Sequence, residues 1–362
     1  MASLDLSLIP DGGVPWLAAS GDYADIVLSS RIRLARNIAG YNFSSRERDG
    51  ERLRILAQVR EALPRVSALA GAMVLRMDDL SVVDRQVLRE RHLVSRELIG
   101  GEGVAEIRPA SAVVVSESAS VMVNEEDHLR LQVFRSGCDI AGALQVATRV
   151  DRELGEQVPF AFHRDFGFLT SCPTNTGTGL RASVMVHLPG LVLTQEIAKV
   201  LQGLQQMGLT HRGLYGEGSD VVGSFFQVSN QTTLGQSEDE LGDHLQRVVK
   251  RLVEQEYVAR KVLARDAGYI IEDKLWRAYG TLRHARSLGA DEAMNLLSGV
   301  RLAVGLQLIG GLSIYTLNKL VVFGQSAHLS HEAGRALTES EACVARARYV
   351  RGVLANEASI DR

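Results

Sequence analysis

From Glu238 onward the chain contains no proline, and helix-favouring residues dominate. Proline removes a helical hydrogen bond and clashes with the turn before it, so a long stretch without it is free to be helical throughout. Leu275, Tyr279 and Leu282 recur at i, i+4 and i+7, the spacing of one helix face. Val248, Leu252 and Tyr257 outline a second such face. Residues 336–354 outline a third, with Arg346, Arg348 and Arg351 crowded near its end. These patterns predict an all-helical domain over residues 251–362. The preceding part, residues 1–250, mixes two periodicities. Val113 to Val115 and Val121 to Val123 are β-prone runs around residues 116–120, the pattern of a hairpin. Residues 183–188 and 222–228 alternate like strands, whereas residues 193–206 have helical spacing and stop near Gly208.

A length of 362 residues accommodates two domains. The net charge is −3 with no basic tail, which argues against nucleic acid as a partner. The longest candidate apolar stretch, around residues 300–312, is broken by Gly305, Gly310 and Gly311 and falls short of the ~18–20 residues of a membrane span. The first ten residues have neither a basic start nor a long apolar run, so no secretory signal is expected. Cys138, Cys172 and Cys343 are too few and too scattered for a disulfide framework or a metal site. A cytoplasmic protein without protein-held metal is expected.

Four segments carry chemistry. In Ser29-Ser30-Arg31-Ile32-Arg33, alternation puts both guanidinium groups on one face of a strand. Two arginines so placed repel each other unless an anion lies between them, and the planar guanidinium fork meets phosphate oxygens bidentately. Residues 172–183 read Cys-Pro-Thr-Asn-Thr-Gly-Thr-Gly-Leu-Arg-Ala-Ser, where small residues admit a ligand close to the backbone. There Cys172 lies in a hydroxyl-rich loop near cationic Arg181, which favours the thiolate. Asn124-Glu125-Glu126-Asp127-His128-Leu129-Arg130 offers carboxylates for a cation and Arg130 for phosphate. In Arg212-Gly213-Leu214-Tyr215-Gly216-Glu217-Gly218, glycines flank Glu217 and free the loop to wrap a ligand. Each segment alone has an ordinary explanation as well: solvated charges, a buried thiol, a helix start, a surface loop.

His163-Arg164-Asp165-Phe166-Gly167 superimposes two signatures of hydroxyl-directed protein kinases. Those enzymes need two separate aspartates, one as base and one for Mg²⁺, and a single Asp165 cannot serve as both. No GxxxxGK[ST] loop occurs either, so arginines would have to replace a phosphate-binding lysine.

Together, and in this order, the four segments resemble the catalytic domain of the phosphagen (guanidino) kinases. The runs Val27-Leu28-Ser29-Ser30-Arg31-Ile32-Arg33-Leu34-Ala35-Arg36-Asn37 and Thr176-Gly177-Thr178-Gly179-Leu180-Arg181 look like its bacterial McsB-type protein-arginine kinase branch. The resemblance implies an α+β catalytic domain, a large antiparallel sheet flanked by helices, followed by a helical domain. It implies ATP with Mg²⁺ as donor. Arg31, Arg33, Arg130, Arg181 and Arg212 would grip the phosphates, and His92 would lie against the nucleotide. The motif neighbours Ser29, Ser30, Ile32, Ala182, Ser183, Val184, Met185, Gly213, Leu214, Tyr215 and Gly216 would complete the nucleotide site. Glu126 and Glu217 would be the catalytic carboxylates, with Cys172 beside the acceptor guanidinium and Glu217 also near the nucleotide.

The acceptor is expected to be an arginine in another protein. Small-molecule phosphagen kinases carry an additional helical domain before the first arginine pair, whereas here 28 residues precede Ser29. A small guanidino compound, or a silent ATP-binding adaptor, is the alternative. The resemblance also implies a homodimer, a small activator protein, and partnership with an AAA+ unfoldase–protease that reads phosphoarginine. In the branch's phosphoarginine-sensor motif, Arg-Asp-x-x-Arg-Ala, only the second half is present here, as Arg346-Ala347. An amphipathic helix without that sensor is the expectation there.

Overall fold

The computed structural model describes residues 4–9, 14–43, 46, 48–100, 107–214 and 221–357. The first half runs β1 (Val27–Arg36), α1 (Asp49–Ala62), β2 (Met73–Arg76), α2 (Val82–Glu90), α3 (Arg96–Ile99), β3 (Ala112–Val115), β4 (Ser120–Val123), β5 (Leu129–Ser136) and α4 (Ile140–Gln157). A small hairpin follows, β6 (Phe162–His163) and β7 (Gly167–Phe168), then β8 (Leu180–His187), α5 (Pro189–Leu193), α6 (Ile197–Gln206), β9 (Leu209–Arg212) and β10 (Phe225–Asn230). The rest is helical: α7 (Glu238–Asp266), α8 (Gly268–His284), α9 (Ala290–Gly305), α10 (Ile314–Phe323), α11 (Ser326–Glu332) and α12 (Glu339–Asn356).

Eight strands form one antiparallel sheet in the order β2-β3-β4-β5-β1-β8-β10-β9. Strand side chains alternate between faces, so pairing register decides which residues share a surface. Ile32, Leu34, Leu131, Val133, Ala182, Val184 and Val228 are buried in one apolar cluster with Ala147 and Val150 of α4 and Leu245 and Val249 of α7. Each fully buried aliphatic side chain of this kind stabilises the fold by about 1.5–3 kcal/mol. The residues in between face the other way. Arg31 pairs with Phe134 and Ser183, Arg33 with Gln132 and Arg181, Ala35 with Arg130, and Gln227 with Arg212. Five arginines therefore stand on the polar face of one sheet.

The expected hairpin is β3–β4, paired Val113 to Met122 and Val115 to Ser120. The expected helix over residues 193–206 is α6, which ends as expected at Gln206 but starts only at Ile197, because Gln195 takes a left-handed backbone (φ 62°) between it and the short α5. The expected division at residue 250 falls inside α7, which starts with a reciprocal cap between Ser237 and Glu240 and runs unbroken to Asp266. Its first half buries Leu241 and Leu245 under the sheet, and Leu263 near its end joins the helical core. That core packs Leu275, Tyr279 and Leu282 of α8 against α9, α10 and α12. Arg346 of α12 is buried, donating to the carbonyls of Gly324 and Leu288 (both 2.8 Å) and to Ser326 Oγ (3.0 Å). No described helix is long and apolar enough to cross a membrane.

Candidate active site

Over the polar face of the sheet lies a cavity of about 490 Å³. Arg31, Arg33, Arg130, Arg181 and Arg212 all line it. Arg31 Nη2 donates to Gln227 Oε1 (2.9 Å), and its guanidinium sits 5.4 Å from the Phe134 ring. Burial first, then the charges of Arg181, Arg130 and Arg212, pull its pKa down to about 9. Burial, then the charges of Arg31, Arg130 and Arg181, push Arg33 well below its usual value. Arg33 Nε is buried and has no hydrogen-bond partner among the described residues. Guanidinium groups stay protonated in proteins, so these shifts mark a buried cluster of cations that repel one another. A polyphosphate supplies the opposite charge, and the forked donors suit its oxygens.

Arg130 differs. Buried Glu125 holds its Nη1 at 2.7 Å and Glu126 holds its Nη2 at 3.0 Å, and these carboxylates raise its pKa against the effect of burial. Glu126 reaches into the cavity. Burial raises its pKa, Arg130 opposes, and the neighbouring charges of Glu125 and Asp127 push it further up. Its loop is locked from below. Buried Asp127 Oδ1 accepts from Asn37 Nδ2 (2.8 Å) and from the Ser171 amide (2.6 Å), tying the acidic loop to the one that carries Cys172. His128 accepts the Ile38 amide at Nδ1 (2.9 Å), so its other nitrogen carries the proton and donates to the Asn42 carbonyl (2.9 Å).

Cys172 lines the cavity with Thr174 and Asn175, its Sγ 3.0 Å from Thr174 Oγ1. Thr233 Oγ1 fixes this loop by donating to the carbonyls of Thr174 (2.9 Å) and Thr176 (2.7 Å). Gly177 has φ +117°, and a Cβ there would lie 2.3 Å from the Thr233 carbonyl oxygen. Only glycine fits that approach.

Beside the arginines, Trp16, His92, Phe134, Ser29, Ser183, Met185 and Leu214 line a smaller recess. Trp16 stacks on Phe134 (centroids 5.7 Å apart) and meets His92 edge-on (5.5 Å). Burial, then the charges of Arg31, Arg89 and Arg33, drop the His92 pKa to about 3, so the ring is neutral. The recess is neutral and aromatic and adjoins the cationic pocket, the surroundings a nucleotide base prefers, but at about 10 Å³ it would have to open to admit one.

Not every residue of the sequence motifs faces this site. Ile32, Ala182 and Val184 point into the core on the opposite face, as strand alternation requires. Ser30 is buried, donating to the Gly137 carbonyl (2.8 Å) and accepting from the Asp139 amide (3.0 Å), which anchors β1 to the start of α4. Gly213 continues the chain from β9 to Leu214. Tyr215, Gly216 and Glu217 lie outside the described residues. Conversely, Arg89, Arg96 and Glu97 line the cavity without having been singled out in the sequence. The kinase-like run from His163 to Gly167 forms the β6–β7 hairpin, with Phe162 and Phe166 exposed and Asp165 paired to Arg164. It contributes nothing to the cavity lining.

The family model for the ATP:guanido phosphotransferase C-terminal catalytic domain matches residues 54–259. That for the protein-arginine kinase McsB C-terminal domain matches residues 269–361. A protein-arginine kinase of Moorella thermoacetica is 44% identical over 355 residues, covering 97% of this chain and all of the relative (100%). One of Bacillus cereus (strain G9842) is 43% identical over 345 residues, covering 95% of this chain and 96% of the relative. Among solved structures, the duplicated taurocyamine kinase of Schistosoma mansoni with bound transition state analog components has a TM-score of 0.57 and 26% identity, covering 70% of this chain and 38% of that one. Lombricine kinase shares the fold, with a TM-score of 0.59, 24% identity, and coverage of 74% and 72%. With both domain types matched and relatives this similar end to end, the chain belongs to the protein-arginine kinase family, whose catalytic part is an ATP:guanido phosphotransferase domain.

Proposed function

We propose that the protein transfers the γ-phosphoryl group of ATP to arginine side chains of other proteins. The observation that carries this reading is one cavity in which five strand-borne arginines face Glu126 and Cys172. Both signs of charge that the reaction needs line the cavity, and they meet at the Glu126–Arg130 ion pair. ATP is anionic and meets the arginines, with its base in the recess of Trp16, His92 and Phe134. The acceptor guanidinium is cationic and meets Glu126, beside Cys172. The donors of the pocket suit phosphate oxygens rather than a metal, so in this reading Mg²⁺ is held by the nucleotide itself.

Free arginine has a pKa above ~12, so the attacking nitrogen must lose a proton. Its lone pair forms the new P–N bond, the bond from γ-phosphorus to the ADP oxygen breaks, and Glu126 takes the nitrogen's proton. Family likeness assigns the same kind of role to Glu217. The five guanidinium groups stabilise charge spreading over the transferred group. Aligning both reactants accounts for up to ~7–11 kcal/mol of barrier lowering in favourable cases. On the same likeness we assign a homodimer, a small activator protein, and delivery of the marked protein to an AAA+ unfoldase–protease in the cytoplasm.

The test is incubation of the purified protein with MgATP and a partly unfolded protein, followed by phosphoproteomics under conditions that preserve acid-labile P–N bonds. Phosphoarginine on the protein is the expected result. Rapid phosphorylation of free arginine with no labelled protein would overturn the acceptor, and ATP binding without any P–N product would overturn the reaction.

A further inference from the structure

Four consecutive residues at the end of α2 divide between two surfaces. Arg89 and His92 line the active-site cavity. Glu90 and Arg91 grip the C-terminal helical region instead. The Glu90 carboxylate accepts the first amides of α11, from Ala327 (2.9 Å) and His328 (3.0 Å), and receives the His328 ring at Nδ1 (2.7 Å). Arg91 Nε donates to His328 Nε2 (3.0 Å), and its guanidinium lies 5.3 Å from the Phe323 ring. His328 is thus held on both nitrogens in one neutral tautomer, buried between an acid and a base. Placing a carboxylate at a helix N-terminus satisfies donors that the helix cannot.

Immediately after this grip the backbone turns sharply. His92 adopts a left-handed conformation (φ 60°), which a non-glycine residue takes only when its surroundings enforce it. Its carbonyl is fixed by Gln132 Nε2 (2.8 Å), and Gln132 is the strand partner of Arg33. Its ring closes the recess against Trp16 and Phe134. The chain from Glu90 to His92 is too short to let one end move without the other.

We infer that Glu90 and Arg91 are positioning residues for the nucleotide site, through which seating of α11 and binding of ATP favour each other. This rests on the reading that the cavity takes ATP. Coupling between two sites is reciprocal in binding free energy, and such couplings change affinity by about 5–150-fold.

The full-length protein is compared with Glu90→Ala and, as a milder break of the same contact, His328→Asn. ATP affinity, kcat at saturating ATP and thermal midpoint are measured for each. Expected is a rise of about tenfold in the Kd for ATP, with kcat little changed, since the lost contact bears equally on ground and transition states. Glu90→Gln, which keeps an acceptor oxygen, should recover part of the affinity. In the wild type, a non-hydrolysable ATP analogue should slow hydrogen exchange at the Ala327 and His328 amides. An unchanged ATP Kd in either folded variant, or no added protection at those amides, would overturn the inference. So would kcat and affinity falling together with the folded fraction, which marks a purely structural contact. Failure of the wild type to bind ATP would instead sink the functional reading on which the inference stands.

Discussion

Arg33 and Arg181 are direct cross-strand partners on β1 and β8, with both side chains lining the same cavity. Like charges directly opposite in a sheet are destabilising. The fold therefore carries, in its central strands, a repulsion that an anion between the two relieves. Replacing Arg181 with Gln should leave the thermal midpoint of the ligand-free protein unchanged or higher, while ATP binding weakens about 10- to 150-fold, the range of a lost charge-assisted hydrogen bond. Calorimetric titration with ATP and a thermal melt of the same sample check both halves. A fall in midpoint with intact affinity would contradict the assignment.

Glu126 is bound to Arg130 at 3.0 Å, so its removal has two effects of opposite sense. Glu126→Gln removes the proposed base, and kcat should fall about 10²- to 10⁴-fold. Arg130 meanwhile loses one of two carboxylates that compete with phosphate, so ATP affinity should hold or tighten. Single-turnover rates beside equilibrium binding separate these. Parallel loss of both would place Glu126 on the nucleotide side.

The pKa of Glu126 is raised, by burial above all. A base is active only once deprotonated. The acidic limb of the rate profile should accordingly rise with pH through a value above the ordinary carboxylate range of about 4.3. The limb should vanish in Glu126→Gln. A profile that is flat down to ordinary carboxylate values would speak against this base.

The pKa of His92 is lowered to about 3 and that of His187 well below its usual value, each chiefly through burial. They stay neutral in the folded state while the unfolded chain protonates them near pH 6.5. Below that pH the unfolded state binds more protons, so stability falls as pH falls, by about 1.4 kcal/mol per unit for each histidine kept neutral. Denaturant unfolding between pH 7.5 and 5.5, at about these values bracketing the histidine pKa, measures the slope. His187→Gln should flatten it by one proton's worth.

The arginine pair of β1 was legible because strand alternation alone fixes the facing of Arg31 and Arg33. Alternation also explains where motif reading went too far. A contiguous motif is not a contiguous surface, so Ile32, Ala182 and Val184 belong to the core although their neighbours line the site. The lattice beneath the acidic loop was invisible for another reason. Asp127 meets Asn37 and Ser171 across separations of 90 and 44 residues, and no local pattern announces such a bond. Arg89 belongs to the same class. It reads as a helix-end cation, and only the packing of α2 brings it to the cavity. The helical half was readable from its spacing; in the first half a single left-handed residue, Gln195, delayed the start of the expected helix over residues 193–206 to Ile197.

The two sides of the cavity are built from different kinds of chain. Arg31, Arg33, Arg130, Arg181 and Arg212 sit on strands of one sheet, whereas Glu126, Cys172, Thr174 and Asn175 sit in connections between strands. Strand positions are shared property: shifting one arginine shifts the register of its neighbours. Connections can be recut one at a time. The arginine half of the cavity is thus a frame that tolerates change only as a whole, whereas the half with Glu126 and Cys172 can change one loop at a time.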